Sequence, residues 1–417
     1  MNLNKARNLL LFSLAAETFF ASYGLLLGSQ TAMVSVMYLI TGLLFIFSLL
    51  SLPQVRFPSV SQMKKEIYWK LPVLLVMIGI AFITARFWLF QIPLDPDYAD
   101  MLPVIKVMNE RFIHGNWKHV YDSIPEIWKG TQPIYLPAMW LPYAGAIWLH
   151  LDLRWVTVVS VLVSFGVILF LVRLKQNRYF GYSLLIIGSM LFWWIYARND
   201  VHFLISLSEE GVVIFYFILL TLAIISSNPY IMGIAASLCI LSRYSMIGWL
   251  LPCLLLFYYR KEYQKIFIFT LCGVVCFLLL FLFPFGMKTF QQMIALPGNY
   301  VAFAKRIWEN SPEVYWLNLG LAKFFGAHRM KLLHQTLLTS VFLVPVVFMC
   351  FCLFQKKWEM QNVNLACFKL SLVVFYQFID VPYGYLFYTS SFVSLLIAVL
   401  CLDPWTPIPI IKTKNVI

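Results

Sequence analysis

Long, unbroken apolar runs dominate this chain and leave it few ways to fold. Stretches of about 15 to 22 residues with almost no charge recur along its length, and that is what a helix needs to cross a hydrocarbon core. In lipid every backbone N–H and C=O must be paired within the chain, so such runs become helices. Composition points the same way. Of 417 residues, 61% are hydrophobic and 12% are charged, against about 25% charged in a soluble domain, and the mean hydropathy is +0.81. The expected fold is all-α: a polytopic helical membrane protein with about 12 transmembrane helices in a single domain, 1–417. The spans fall at 8–28, 32–52, 70–91, 155–173, 181–197, 210–226, 229–242, 245–259, 265–285, 335–355, 363–380 and 386–402.

The net charge of +13 belongs to topology, because the bases are scattered between apolar runs and form no stripe for nucleic acid. The stretch 134–150 decides the sidedness of everything after it. Pro133, Pro137 and Pro142 break a helix there, while Trp140, Tyr143 and Trp148 suit an interface. Read as interfacial, it leaves one side basic: Lys5 and Arg7; Arg56, Lys64, Lys65 and Lys70; Arg173, Lys175 and Arg178; Arg260, Lys261 and Lys265; Lys356 and Lys357; Lys412 and Lys414. The expectation is a multi-pass inner or plasma membrane protein with both termini cytoplasmic and the first helix retained rather than cleaved. Two long extracytoplasmic connections remain, 92–154 and 286–334. All eight cysteines lie within or at the ends of apolar segments without zinc-site spacing, so they read as packing residues.

Most acids fall on the extracytoplasmic side. The first long loop opens with Asp95, Asp97 and Asp100, followed by Met101, Ile105, Met108 and Phe112 at the spacing of an amphipathic surface helix. Capping by Asp97 or Asp100 accounts for one acid well and for three poorly. Arg198, Asp200, His202, Glu209 and Glu210 occupy the next outer connection. Carboxylates against an apolar helix need a partner or a wet cavity, unless they serve the helix dipole. Arg243-Tyr244 interrupts two short apolar runs, where an arginine either snorkels to headgroups or offers its planar fork to a phosphate. The second loop adds Lys305, Arg306, Glu309, Glu313, His328, Arg329 and Lys331 among Trp308 and Trp316, and Asp380 sits at the last outer turn. Arg86, inside the third span, needs a partner, and Glu17 in the first is the candidate. No phosphate loop, HExxH or GxSxG motif is present, so neither ATP-driven transport nor hydrolase chemistry has sequence support.

In this order the sequence resembles the C superfamily of integral-membrane glycosyltransferases (GT-C), which use polyprenyl-phosphate sugars. The likeness rests on Asp100, then Gly115-Asn116-Trp117, then Gln132-Pro133-Ile134-Tyr135 and the next span. It continues through Glu209-Glu210 and Leu241-Ser242-Arg243-Tyr244 with Pro252, Arg260 and Lys261, over roughly residues 70–300. The spacing is similar to that of the aminoarabinose transferase and protein mannosyltransferase branches of the cell envelope. The resemblance implies Asp100 as catalytic acid, with Asp97 second and Asp95 third. It implies Arg243, Tyr244, Glu209, Glu210 and Gln132 as substrate-binding residues. Gln132 stands where some branches carry a lysine, which puts a phosphate contact there in doubt.

The implied chemistry is a single inverting displacement. Asp100 takes the proton of the acceptor hydroxyl and Arg243 steadies charge growing on the phosphate. A divalent metal helps in some relatives, although three acids alone do not establish one. The expected partners are the lipid-linked sugar, a glycan, lipid or protein acceptor, and membrane lipid, without nucleic acid. Two other classes stay open. A secondary transporter or lipid-sugar flippase would pair broken helices with acids at the midplane of two related halves. A glycan polymerase or ligase would use the large outer loop at 286–334.

Overall fold

The computed structural model describes residues 2–23, 31–53, 67–96, 99–127, 130–174, 178–197, 203–355 and 362–402. Asp97, Arg198, Asp200 and His202, and the bases Arg56, Lys64, Lys65, Lys175, Lys356, Lys357, Lys412 and Lys414, all singled out above, lie outside the described residues. Among the described residues the chain is helical and has no strand, only an isolated bridge between Ile124 and Thr131. The long helices are α1 (Leu3–Tyr23), α2 (Thr31–Leu50), α3 (Ile67–Gln91), α4 (Met101–Ile113), α5 (Arg154–Leu171), α6 (Arg178–Ala197) and α7 (Glu210–Ser226). They continue as α8 (Pro229–Ile240), α9 (Ile247–Tyr259), α10 (Tyr263–Phe277), α11 (Phe283–Asn310), α12 (Met330–Phe354), α13 (Val363–Phe378) and α14 (Phe387–Leu402). Seven helical stretches are long and apolar enough to cross a membrane, and four more, α7, α8, α13 and Tyr244–Tyr259, are apolar but shorter.

Local sequence explains where several helices start and how they pair. Asn228 accepts hydrogen bonds from the Tyr230 and Ile231 amides at 3.0 and 3.3 Å, with Pro229 in the first turn. Those donors have no partner inside the helix, and Asn supplies one. Helices α3 and α5 cap each other reciprocally with cations. Lys70, at the start of α3, donates to the Phe170 carbonyl at 2.7 Å, while Arg154, at the start of α5, donates to Leu89 and Ile92 at 2.8 and 2.6 Å. A cation at a helix C-terminus satisfies orphan carbonyls and complements the dipole.

The core is built around the last two helices. Every residue of α14 is buried, and it packs against α1, α5, α6, α7 and α13. Peripheral α3 is the opposite case, burying only Lys70, Ala81, Ala85 and Trp88. That difference corrects the proposed Arg86–Glu17 pair. Arg86 rides on α3, which packs on α5 and α6, while Glu17 points into the bundle. There Glu17 meets Lys369 of α13 at 2.6 Å and accepts from Ser390 and Ser394 of α14 at 2.8 and 2.7 Å.

Loops gather at the end of the bundle that holds the C-terminus of α3 and the N-terminus of α5. The stretch 134–150 forms three short turns there, Pro137–Trp140, Leu141–Tyr143 and Ala144–Trp148, none of spanning length. Helix α11 breaks at Gly286, whose φ of 80° suits a residue without Cβ. Beyond the break it runs to Asn310 as an amphipathic helix that the sequence reading treats as loop.

Candidate functional site

A cavity of about 1090 Å³ opens among these loops. Its wall takes residues from α1, the start of α4, the segment Gly130–Tyr135, Leu204 and Leu207, α11, and the turn Tyr383–Tyr385. Phe20, Ala21, Leu204 and Leu207 make part of it apolar, and Asp100, Gln132, Arg306, Asn310 and Glu313 make part of it polar. A hollow of about 40 Å³ at the opposite end, beside the Lys265–Glu262 pair at 2.9 Å, has room for little more than a water.

Asp100 occupies the N-cap position of α4, yet its side chain makes no capping hydrogen bond. The carboxylate instead faces the cavity, and burial raises its pKa above the usual carboxylate value. Asp95 does not line the cavity.

Glu209, Glu210 and Arg243 form a buried cluster just behind the wall. One guanidinium nitrogen of Arg243 lies 2.9 Å from Glu209 and 2.8 Å from Glu210, with all three side chains largely buried. Thr389 of α14 donates to Glu210 at 2.5 Å. Gly211 lets this corner close: a Cβ there would sit 2.7 Å from Thr157, whose hydroxyl donates to the Ser208 carbonyl at 2.9 Å. Arg243 is therefore engaged within the protein. It bridges two carboxylates and does not line the cavity. Tyr244, next to it, packs edge-on against Phe375 and is likewise off the wall. The cluster is nonetheless adjacent to the cavity wall, since Leu207, two residues before Glu209, lines the cavity.

The first loop is stapled so that its cavity face is fixed. Arg111 donates to the carbonyls of His119, Asp122 and Ser123 at 3.0, 2.6 and 3.1 Å. Gln132 donates to Tyr121 at 2.6 Å and still lines the cavity. Asn109 donates to Trp140 at 2.9 Å, and the Ala138 amide reaches Leu241 at 3.0 Å, tying this loop to the turn that carries Arg243. On the facing side, Tyr383 and Tyr385 stack at 5.7 Å, and the Tyr385 hydroxyl contacts the Met101 sulfur at 2.8 Å.

Sequence reasoning passes over two features and misplaces a third. The tyrosines at 135, 300, 383, 385 and 388 converge on one cavity from three separate segments. Lys369 is a lone base inside an apolar run, a signal available beforehand. Asp380, buried at 3% exposure, pairs with His334 at 2.6 Å instead of lining the cavity. No cluster of three His, Cys, Asp or Glu side chains suited to a metal occurs among the described residues. The divalent ion therefore has no fitting donor set there, and no step is assigned to it. Comparison with known protein families, characterised proteins and solved structures gives no match to this chain.

Proposed function

We propose that the chain is a membrane glycosyltransferase of the GT-C kind, which moves a sugar from a polyprenyl-phosphate donor to an acceptor hydroxyl at the loop-rich, extracytoplasmic end. In this reading the seven long helices, the four shorter ones and α1 all cross the bilayer, giving the twelve spans expected from the sequence. The basic residues at the opposite end, among them Lys5, Lys70, Arg173 and Arg260, keep that end and both termini in the cytoplasm.

One observation carries the proposal: a carboxylate at a helix start that does not cap its helix and instead faces a large cavity with both apolar and polar walls. Asp100 takes the proton of the acceptor hydroxyl, the acceptor oxygen bonds to the anomeric carbon, and the bond from that carbon to the phosphate oxygen breaks with inversion. A carboxyl with a raised pKa is the stronger base once ionised. The Glu209–Arg243–Glu210 cluster acts as a fixed backing that holds the loop carrying Arg243 against α14. Asp100→Asn should lower transfer at least ~100-fold in a purified-enzyme or cell-glycan assay, and near-normal transfer by this variant would remove Asp100 as the base.

A carrier reading draws support from one feature, the ion pair Glu17–Lys369 inside the bundle. Coupled transport needs the charges themselves, so Glu17→Gln/Lys369→Met separates the two readings. Full glycan transfer by the double variant assigns the pair to structure.

A further inference from the structure

The reaction above leaves an anion, and Arg243, expected to meet it, is already held between two carboxylates. Other buried cations are engaged as well. Lys369 pairs with Glu17 at 2.6 Å, Arg154 with Asp152 at 2.6 Å, and Lys323 donates to the carbonyls of Thr31, Trp316 and Asn318. Among the described residues that line the cavity, the single basic side chain is Arg306.

Its setting suits an oxyanion. Arg306 forms no ion pair with a described residue, and its guanidinium lies over the Phe303 ring, 5.7 Å from the centroid. A guanidinium above an aromatic face is attracted to the ring and keeps its edge N–H groups free to donate. The neighbouring Lys305 points elsewhere and pairs with Glu309 at 3.7 Å, both half-exposed. Helix α11 thus keeps a neutralised pair on its outer side and an unneutralised arginine on its cavity side. The break at Gly286 allows α11 to leave the line of α10 and place that face against the cavity. Phe20, Ala21, Leu204 and Leu207 line the same space with apolar surface, so the ligand it fits joins an anionic group to an apolar chain.

We propose that Arg306 is the cation that receives the phosphate oxygens of the lipid ligand, the contact that the family resemblance implies for Arg243. The proposal rests on the glycosyl-transfer reading. With Asp100 and Glu313 the acids on the described wall, Arg306 is the group that discriminates an anionic lipid from a neutral one of the same chain.

The test uses the purified full-length protein and two probes, a long polyprenyl phosphate and the matching polyprenol, competed in one sample and read by native mass spectrometry. The wild type should favour the phosphate by about tenfold, equivalent to ~1.4 kcal/mol. Arg306→Gln should bind both probes alike, with an unchanged melting temperature because the side chain is exposed. Arg306→Lys should fall between, a point charge replacing a fork. An Arg306→Gln protein that still prefers the phosphate overturns the assignment to Arg306 and leaves the glycosyl-transfer reading standing. A wild type that binds both probes equally overturns the assignment and the lipid-phosphate donor together.

Discussion

Burial of the Asp100 carboxyl has two consequences of opposite sign. Its pKa is raised in the folded protein, so the folded state binds this proton more readily than the unfolded chain does. Stability contributed by the protonated group is present below the ordinary carboxylate pKa and is lost as pH rises through the raised one. Base chemistry needs the ionised form and improves over the same interval. Asp100→Asn should therefore melt higher than the wild type at pH 8 and about equal to it near pH 3, which melting curves at the two pH values would check. The transfer rate of the wild type should fall below a pH that lies above the usual carboxylate range. At this scale the sequence is informative about single costly charges and poor about their partners. Asp100 is legible because three acids precede an amphipathic repeat. Glu209, Glu210 and Arg243 are each legible as charges that lipid will not tolerate alone, but the acids and the base are more than thirty residues apart, and only the turn of α8 into α9 brings them together.

Among elements, α1, α13 and α14 are joined by polar contacts where apolar packing would be usual. Lys369 donates to Glu17 at 2.6 Å, and Ser390 and Ser394 complete the carboxylate's shell. Removing one partner strands the other charge, a loss of ~3–5 kcal/mol for buried pairs, whereas replacing both with neutral groups of similar size is often tolerated. Lys369→Met alone should therefore expose the chain to degradation or lower its melting temperature sharply in detergent, and Glu17→Gln/Lys369→Met should recover most of the loss. Equal stability of the single and double variants would show that the pair does not bind these helices together. Helix α11 shows where periodicity misleads. Its polar residues Lys288, Gln291, Gln292 and Lys305 read as a loop beside the apolar run before Gly286, although they are exposed positions of a continuing helix. The three prolines in 133–142, by contrast, give a correct account of why the following segment stays in short turns.

For the whole molecule, the apolar runs are readable because lipid permits so few backbone arrangements: each expected span overlaps a helix among the described residues, and seven helical stretches are long and apolar enough to cross a membrane. Which helices stand in the middle is not readable, because lipid-facing and protein-facing surfaces are equally apolar. Sidedness rests on the distribution of bases. Single cysteines placed at Lys106 and at Lys261, in a chain lacking its eight native cysteines, should react with an impermeant reagent from opposite sides of the membrane. Reaction of both from the outside would withdraw the proposed orientation.

The wholly enclosed position of α14 also sets an order of assembly. A ribosome delivers this helix last among the described ones, yet five others are arranged around it. Until it arrives, the earlier helices surround a vacancy that only lipid or a chaperone can fill, and Glu17 has no hydroxyls to receive. A polypeptide stopped after residue 380 should therefore reach the bilayer, fail to consolidate, and be cleared by membrane proteases, because the ring of helices has its keystone only once α14 has been made.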